Sequence, residues 1–573
     1  MDYNLNVLLL LNDISMFLKF LNLLYLLNEL IHLNMPLKLK IKLSAGYYFY
    51  DLNGKLTHRF SDRSRLFASL YYGSDVVYSR IRTMSTDVQD QYLDFDTKWG
   101  NIVSSIRWNY ELTPKLFLNV TGAYTRYRNN IGVGYETIGI VTDSTTGISS
   151  ADTTTFDMDY LSTINDILVK VDMDYTPNPD HVAKMGLSFI HHRFMPEVSS
   201  AHLNAYSSNY MNTSMVIDTS INSTAILAEE VSLYGEDDWS INDAVKINYG
   251  LNFSGFAVNG TFYPTLQPRL SGRLMLGEGI SLKAGYSYMT QFMHLLSTTS
   301  VSMPTDLWVP ATKRIDPMYS NQIAGGLFYE WGGVADLSIE GYYKKMTNLL
   351  EYKDGATFWG ESSNTGEEHK TWEDKVVIGD GWAYGVEILI QRNIGRLTGW
   401  IGYTWSKSMR QFNRPGQELN DGNPFPAKYD RRHDISIVVN YKINDNISVN
   451  ATWVYCSGNA ATLSLQEYAQ AQQTANDYAN IDPEGWNGYL TIPGGRNNFR
   501  MPAYHRMDLG VNFHKQFKRC SRDINVGVYN LYNRKNPYMI YESHEYTYQQ
   551  YNAALVKLSI FPILPSISYT LKF

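Results

Sequence analysis

The residues best equipped for chemistry in this 573-residue chain are scattered rather than clustered. His191 and His192 are adjacent. On a strand, neighbours face opposite sides, so the pair cannot readily chelate one ion. Asp430-Arg431-Arg432-His433-Asp434 is the densest charged run. It reads as a charged strand entrance that anchors a rim, with Arg431 and Arg432 also placed to meet a ligand at a mouth. Asp306 and Trp308 lie in a predicted outer loop flanked by prolines. An acid beside an aromatic in such a loop either contacts a ligand or stiffens the loop. Trp359 is a further candidate contact, in a loop rich in aromatics. Glu367, Glu368 and His369 read as a solvated loop tip. The Ser/Thr-rich stretch 143–157 carries acids but lacks EF-hand spacing.

Catalytic signatures are missing. There is no HExxH, no GxSxG elbow, no P-loop and no GxGxxG, and Gly132-Val133-Gly134 lacks the third glycine. The expectation is a protein that is not an enzyme and has no metal site and no cofactor. The net charge is −7 and there is no basic stripe, which argues against a nucleic-acid partner. The two cysteines, Cys456 and Cys520, fall at opposite ends of predicted strands, too far apart to bridge.

The elements that would position these residues are strands. Aromatics make up 14% of the chain, with 44 tyrosines, and charged residues only 18%. Mean hydropathy is −0.29. A helical membrane protein would be far more apolar, and a soluble enzyme more charged. A membrane barrel satisfies both facts, because only alternate residues need be apolar. From about residue 39 the period is two. Val245, Ile247, Tyr249, Leu251 and Phe253 share one face; Lys246, Asn248, Gly250, Asn252 and Ser254 share the other. Ile280–Tyr288, Ile447–Tyr455 and His505–His514 repeat the pattern. Tyr403, Trp405, Tyr441 and Trp453 mark the ends of the apolar face, as an interfacial girdle requires. The polar face mixes signs (Lys246, Lys283, Asp336, Glu340, Lys344, Arg506, Asp508), unlike the single-sign rings of an ion-selective pore.

Short connections alternate with long ones. The short ones are Ser61–Ser64, Thr113-Pro114, Pro177–Asp180, Asn242-Asp243, Gly277–Gly279, Gly332-Gly333, Ile394-Gly395, Asn444-Asp445 and Arg519–Ser521. Long loops are expected near 80–92, 129–156, 195–224, 292–318, 351–380, 411–428, 457–502 and 544–553. The connection near 257–261 is short where a long one is due. This spacing predicts an all-β, transmembrane antiparallel barrel with short periplasmic turns and long outer loops. About nineteen strands are expected. The last would run from about Leu555 to Phe573 as one strand, interrupted by Pro562 and Pro565. Residues 1–38, rich in Leu and Asn, form an atypical N-terminal segment outside the barrel, which occupies 39–573.

Several stretches resemble the barrel of TonB-dependent receptors. They are Ser559–Phe573 (SIFPILPSISYTLKF), Asn530–Tyr538 (NLYNRKNPY), Tyr429–Ser436 (YDRRHDIS), Pro304–Pro310 (PTDLWVP), Trp382–Glu387 (WAYGVE) and Phe49–Leu66. Tyr569, Leu571 and the final Phe573 are similar to the terminal aromatic signal read by the outer-membrane assembly machinery. The resemblance implies a 22-strand barrel. This chain would then supply about 19 of the 22, strands four to twenty-two, without the plug domain. TonB would engage only through the missing N-terminal region, and the chain would be a fragment unable to transport alone.

The implied function is TonB-energised uptake of a scarce nutrient across the cell outer membrane. The partners would be outer-membrane lipid, the assembly machinery and a small-molecule or oligomeric nutrient ligand whose identity the sequence does not give. An unplugged passive channel and an adhesin or binding barrel are the alternatives.

Overall fold

The computed structural model describes residues 8–9, 39–85, 89–142, 149–207, 213–222, 224–297, 307–354, 356, 371–469, 489–518, 520–547, 550–559 and 561–572. The chain divides into two compact units. One holds residues 1–297, 303–327 and 356–376; the other holds 298–302, 328–355 and 377–573.

The first unit contains β1 (Leu39–Ser61), β2 (Ser64–Ser85), β3 (Gln89–Thr113), β4 (Leu116–Thr142), β5 (Ser149–Asn178), β6 (His181–Ser207), β7 (Ile226–Ser240), β8 (Val245–Val258), β9 (Thr261–Gly277), β10 (Ile280–Gln291) and most of β11 (Met318–Trp331). From β1 to β10 each strand pairs antiparallel with the next. Leu8 and Leu9 make a short pairing with Asn53 and Leu52 on the other side of β1. The second unit contains β12 (Ala335–Tyr352), all but the first residue of β13 (Val376–Arg392), β14 (Leu397–Gln411), β15 (His433–Asn444), β16 (Ile447–Cys456), β17 (Tyr504–Gln516), β18 (Ser521–Tyr529) and β19 (Leu564–Lys572). From β13 to β19 the antiparallel ladder again follows chain order.

Period two decides which side meets what. In β9, Phe262, Leu266, Leu270, Leu274 and Leu276 are exposed, while Thr265, Gln267 and Arg273 between them are at least partly buried. The register sets Phe253 against Leu266, Tyr249 against Leu270 and Val245 against Leu274, so the apolar rows run on across strands. Leu233, Leu187 and Val169 extend the same exposed face. The second unit has an exposed apolar face of its own, with Leu397, Ile401, Tyr441, Val526 and Ile567. A soluble sheet buries its apolar face. Here it is the outward one, which suits a sheet solvated by lipid.

Tight turns close one end of the strands, as the spacing of turn residues predicts. Asn178 Oδ1, Asn242 Oδ1 and Asn444 Oδ1 each accept from backbone N–H groups two and three residues on. At the other end, the short 257–261 connection is a two-residue turn. Asn259 (φ 47°) and Gly260 (φ 78°) are both left-handed, the conformation a type I′ hairpin needs.

Two expectations are corrected. The outer segments read as loops near 80–92, 129–156 and 195–224 are largely ladder: β4 and β5 stay paired as far as Thr142 and Ser149, and Thr213–Asn222 pairs with the end of β6. Beyond lipid no apolar face is required, so the hydropathy pattern fades while the backbone pairing continues. The stretch from Leu555 onward is not one strand. Gln550–Leu558 pairs with Met539–Thr547 in a separate hairpin, whereas β19 pairs with β18. Pro562 lies in the break between them.

The outward reading makes a direct prediction. Leu251→Arg, in the middle of the apolar belt, should cost about 2–4 kcal/mol of folding stability in a bilayer. Asn252→Arg, one residue on and facing the other way, should cost under about 1 kcal/mol. Equilibrium folding into lipid vesicles measures both; equal costs would contradict the assignment of faces.

Candidate functional site

In the first unit the inner face turns apolar towards its outer end. Ile164, Phe194, Ala228, Phe256, Val258, Phe292 and Ala311 form a buried cluster. Phe256 and Phe292 stack with ring centroids 4.8 Å apart. Against this cluster packs a short hairpin, Met293–Leu296 with Leu307–Pro310, in which Trp308 opposes Leu295. Its return is fixed from several sides. Ala311 N–H donates to the Phe292 carbonyl at 2.7 Å, and the Tyr263 hydroxyl to the Thr312 carbonyl at 2.6 Å. Arg314 pairs with Asp374 at 2.7 Å and Glu373 at 3.4 Å.

Trp308 and Met293 of the hairpin, Thr125 and Tyr127 of β4, and Ile164 and Asp166 of β5 line an open pocket of about 250 Å³. Asp166 sits at its polar side, where it accepts from Thr125 Oγ1 at 3.4 Å and binds His192 Nδ1 at 2.8 Å. His192, 2% exposed, has Glu230 3.5 Å from its Nε2 and stacks on Phe194. His191, next in sequence, pairs instead with Glu229 at 2.7 Å. The two imidazoles point to opposite faces, as strand geometry demands. Among the described residues no group of three or more His, Cys, Asp or Glu could hold a metal ion.

His294 in the hairpin is buried and donates from Nε2 to the Asp316 carbonyl at 3.1 Å. Among the described residues its Nδ1 has no hydrogen-bond partner. Burial pushes this imidazole down to about 4, partly opposed by the carbonyl bond.

In the second unit Asp430, rather than the arginines beside it, is the buried centre of the charged run. Its carboxylate accepts from Ser408 N–H at 2.6 Å, from Arg432 at 3.3 Å, and from Arg500. Arg431 Nε donates to Asn459 Oδ1 at 2.8 Å. A second network joins residues about 145 apart in sequence. Arg496, its side chain 4% exposed, pairs with Glu351 at 2.8 Å and Asp354 at 2.7 Å. Glu351 also pairs with Arg410, and Arg496 lies over the Phe425 ring. Glu351 and Arg496 carry no local sequence signal. Asp306, Trp359, Phe573 and the Glu367–His369 tip lie outside the described residues. Tyr569 and Leu571 are exposed on β19, on the apolar face. Cys456 ends β16 and Cys520 precedes β18; both are free.

The family description "TonB dependent receptor-like, beta-barrel" matches residues 41–531. The chain belongs to the TonB-dependent receptor family. It is thus an outer-membrane β-barrel protein of the transport class and not an enzyme. Solved structures of similar fold include the FpvAI–pyocin S2 complex, at 10% identity and a TM-score of 0.50, covering 93% of this chain and 72% of that one. The ferric-catecholate import receptor Fiu from E. coli aligns at 11% identity and a TM-score of 0.49, covering 93% and 81%. BauA, the ferric preacinetobactin receptor from Acinetobacter baumannii, aligns at 11% and 0.49, covering 94% and 80%. No curated protein matches the receptor.

Two outcomes follow. The folded hairpin refuses a proton that the unfolded chain takes up below about pH 6.5. Its stability should therefore decline as pH falls from about 6.5 towards 4, read as loss of amide protection around Leu295. His294→Gln should flatten that decline. Separately, Arg496→Met leaves Glu351 short of a partner and should cost about 3–5 kcal/mol. Asp354→Asn, at the exposed side of the same network, should cost less than about 1 kcal/mol by chemical denaturation.

Proposed function

We propose that the receptor binds a bulky nutrient complex at its outer end and takes it up with energy delivered through TonB. No bond is made or broken in this reading. The observation that carries it is the open pocket on the inner face, with Trp308 on one side and Asp166 on the other. An aromatic wall with one polar group suits a ligand that is flat on one side and hydrogen-bonding on the other. The mixed charges of the polar face suit a polar solute or plug better than an ion filter.

Trp308 is assigned to ligand contact, with Asp306 and Trp359 as loop partners. Arg431 and Arg432 are assigned to the mouth, where Arg432 would answer to both Asp430 and the ligand. Residues 39–573 are assigned to the barrel, with 1–38 kept apart from it except for the short Leu8–Leu9 pairing on β1. TonB is assigned to the short segment of the N-terminal region that precedes the barrel in the family, and Tyr569, Leu571 and Phe573 to recognition by the assembly machinery.

The test is uptake by cells expressing this barrel joined to the family's plug and TonB-engaging region, with and without TonB; the barrel by itself should accumulate nothing. The panel is a radiolabelled ferric catecholate, ferric citrate, cobalamin and a labelled oligosaccharide. One of them should accumulate only when TonB is present. Trp308→Ala should then weaken its half-saturation about tenfold, the share of one buried aromatic contact. Accumulation that is indifferent to TonB would contradict energised uptake and favour a passive channel.

A further inference from the structure

The outward face of β4–β6 carries a basic patch directly above the apolar belt, with no ion pair among the described residues. The register places Arg126 of β4 beside Asn165 of β5, and Asn165 beside Arg193 of β6, in one cross-strand row. Arg128 stands two residues further along β4, next to Gly100 of β3, and Lys98 two residues beyond Gly100. Adjacent strands lie about 4.8 Å apart, so Arg126 and Arg193 stand about 10 Å apart across the sheet.

Alternation fixes the direction of these side chains. Arg126 and Arg128 share parity with Tyr124, which is exposed on the outward face. Two residues below the Arg126–Arg193 row runs Tyr124, Ile167 and His191, and two below that Gly122, Val169 and Phe189. Ile167 (53%), Val169 (51%) and Phe189 are all exposed. The cations therefore sit on the rim of a greasy surface, on the side of the long hairpins. Arg126 is ten residues into β4 from its tight turn. At about 3.3 Å per residue and the usual tilt near 45°, that is roughly 23 Å, close to the height of a barrel's apolar band.

The patch differs from the basic residues around it. Further out, Arg80 pairs with Asp94 at 3.7 Å and Arg82 with Asp90 at 3.4 Å. In the row below, Glu229 is held by His191. For Lys98, Arg126, Arg128 and Arg193, no carboxylate lies within ion-pair distance among the described residues, and Lys98, Arg128 and Arg193 are exposed. The nearest outward carboxylates on the same strands, Asp96 of β3 and Asp159 of β5, face each other across Gly132. Lipid tails alone do nothing for three guanidinium groups and an ammonium, which call for an anion at the depth of the headgroups.

We propose that this face is a binding site for a phosphorylated lipid of the outer leaflet. Its phosphate would lie on Arg126, Arg128 and Arg193, with Lys98 at the edge. Its acyl chains would lie along Ile167, Val169 and Phe189, and Tyr72 and Tyr124 would flank the headgroup. The site is separate from the inner-face pocket, because β4–β6 present opposite faces to the two.

The experiment uses the full receptor in mild detergent and three probes: an acylated glucosamine disaccharide carrying two phosphates, the same lipid dephosphorylated, and inorganic phosphate. The phosphorylated lipid should bind at least tenfold tighter than the dephosphorylated one. Arg126→Gln/Arg128→Gln/Arg193→Gln should weaken it roughly a hundredfold, by the usual contribution of a basic residue at an anionic surface. The triple Lys variant should keep most of the affinity. Equal binding of the two lipids by the unaltered receptor would overturn the proposal, and that comparison needs no variant to fold. So would competition by inorganic phosphate at the lipid's own concentration, which would reveal a site for free anions. Ligand uptake is read separately, so failure of the lipid site would leave the transport reading standing, and the reverse.

Discussion

Everything in this receptor depends on one constraint: a backbone amide in lipid has no water to bond to. Each strand must therefore give its N–H and C=O groups to neighbouring strands, and the side chains must sort by face instead of by core. The ladders from β1 to β10 and from β13 to β19 meet the first demand. The second explains why Leu233, Leu251, Leu266 and Leu270 are exposed. In water such a surface would aggregate; in a bilayer it is the solvated side.

The apolar residues that do cluster serve a local purpose. Phe194, Phe256 and Phe292 fill the inner face only near the outer end of the first unit, where they seat the Trp308 hairpin. In the second unit charge does the equivalent work. Arg496, Glu351 and Asp430 are buried and tie distant segments together. Removing one member of such a network leaves the other unpaired out of water, so these ties are specific as well as strong. Both devices hold outer segments in place over a sheet whose own residues are occupied with lipid.

The sequence made the sheet legible because lipid imposes a strict period of two. Val245–Ser254 is enough to read direction and face. The two-residue turn at Asn259-Gly260 was visible as a connection too short for its place in the alternation. Legibility failed wherever that constraint stops. The outer part of β5 is mostly Ser, Thr and Asp, and that of β4 shifts its apolar residues from odd positions (Ile131, Val133, Tyr135) to even ones (Ile138, Ile140), so no steady hydropathy signal marks their pairing. Gln550–Leu558 and β19 looked continuous because both alternate, although Pro562 sits between elements with different partners. The pocket was half legible. Trp308 stood out by type, but Asp166 and Tyr127 look like any strand residues until the register brings them beside it. Arg496 and Glu351 meet only through the fold.

The measurement that bears most directly on this account is a spin-label scan of residues 245–254 in the receptor reconstituted in lipid, with Cys456 and Cys520 replaced by Ser. Labels at Ile247, Tyr249, Leu251 and Phe253 should relax with oxygen dissolved in the bilayer. Labels at Lys246, Asn248 and Asn252 should relax instead with a water-soluble nickel complex. A smooth profile, a period of 3.6, or oxygen access at the polar positions would contradict the account.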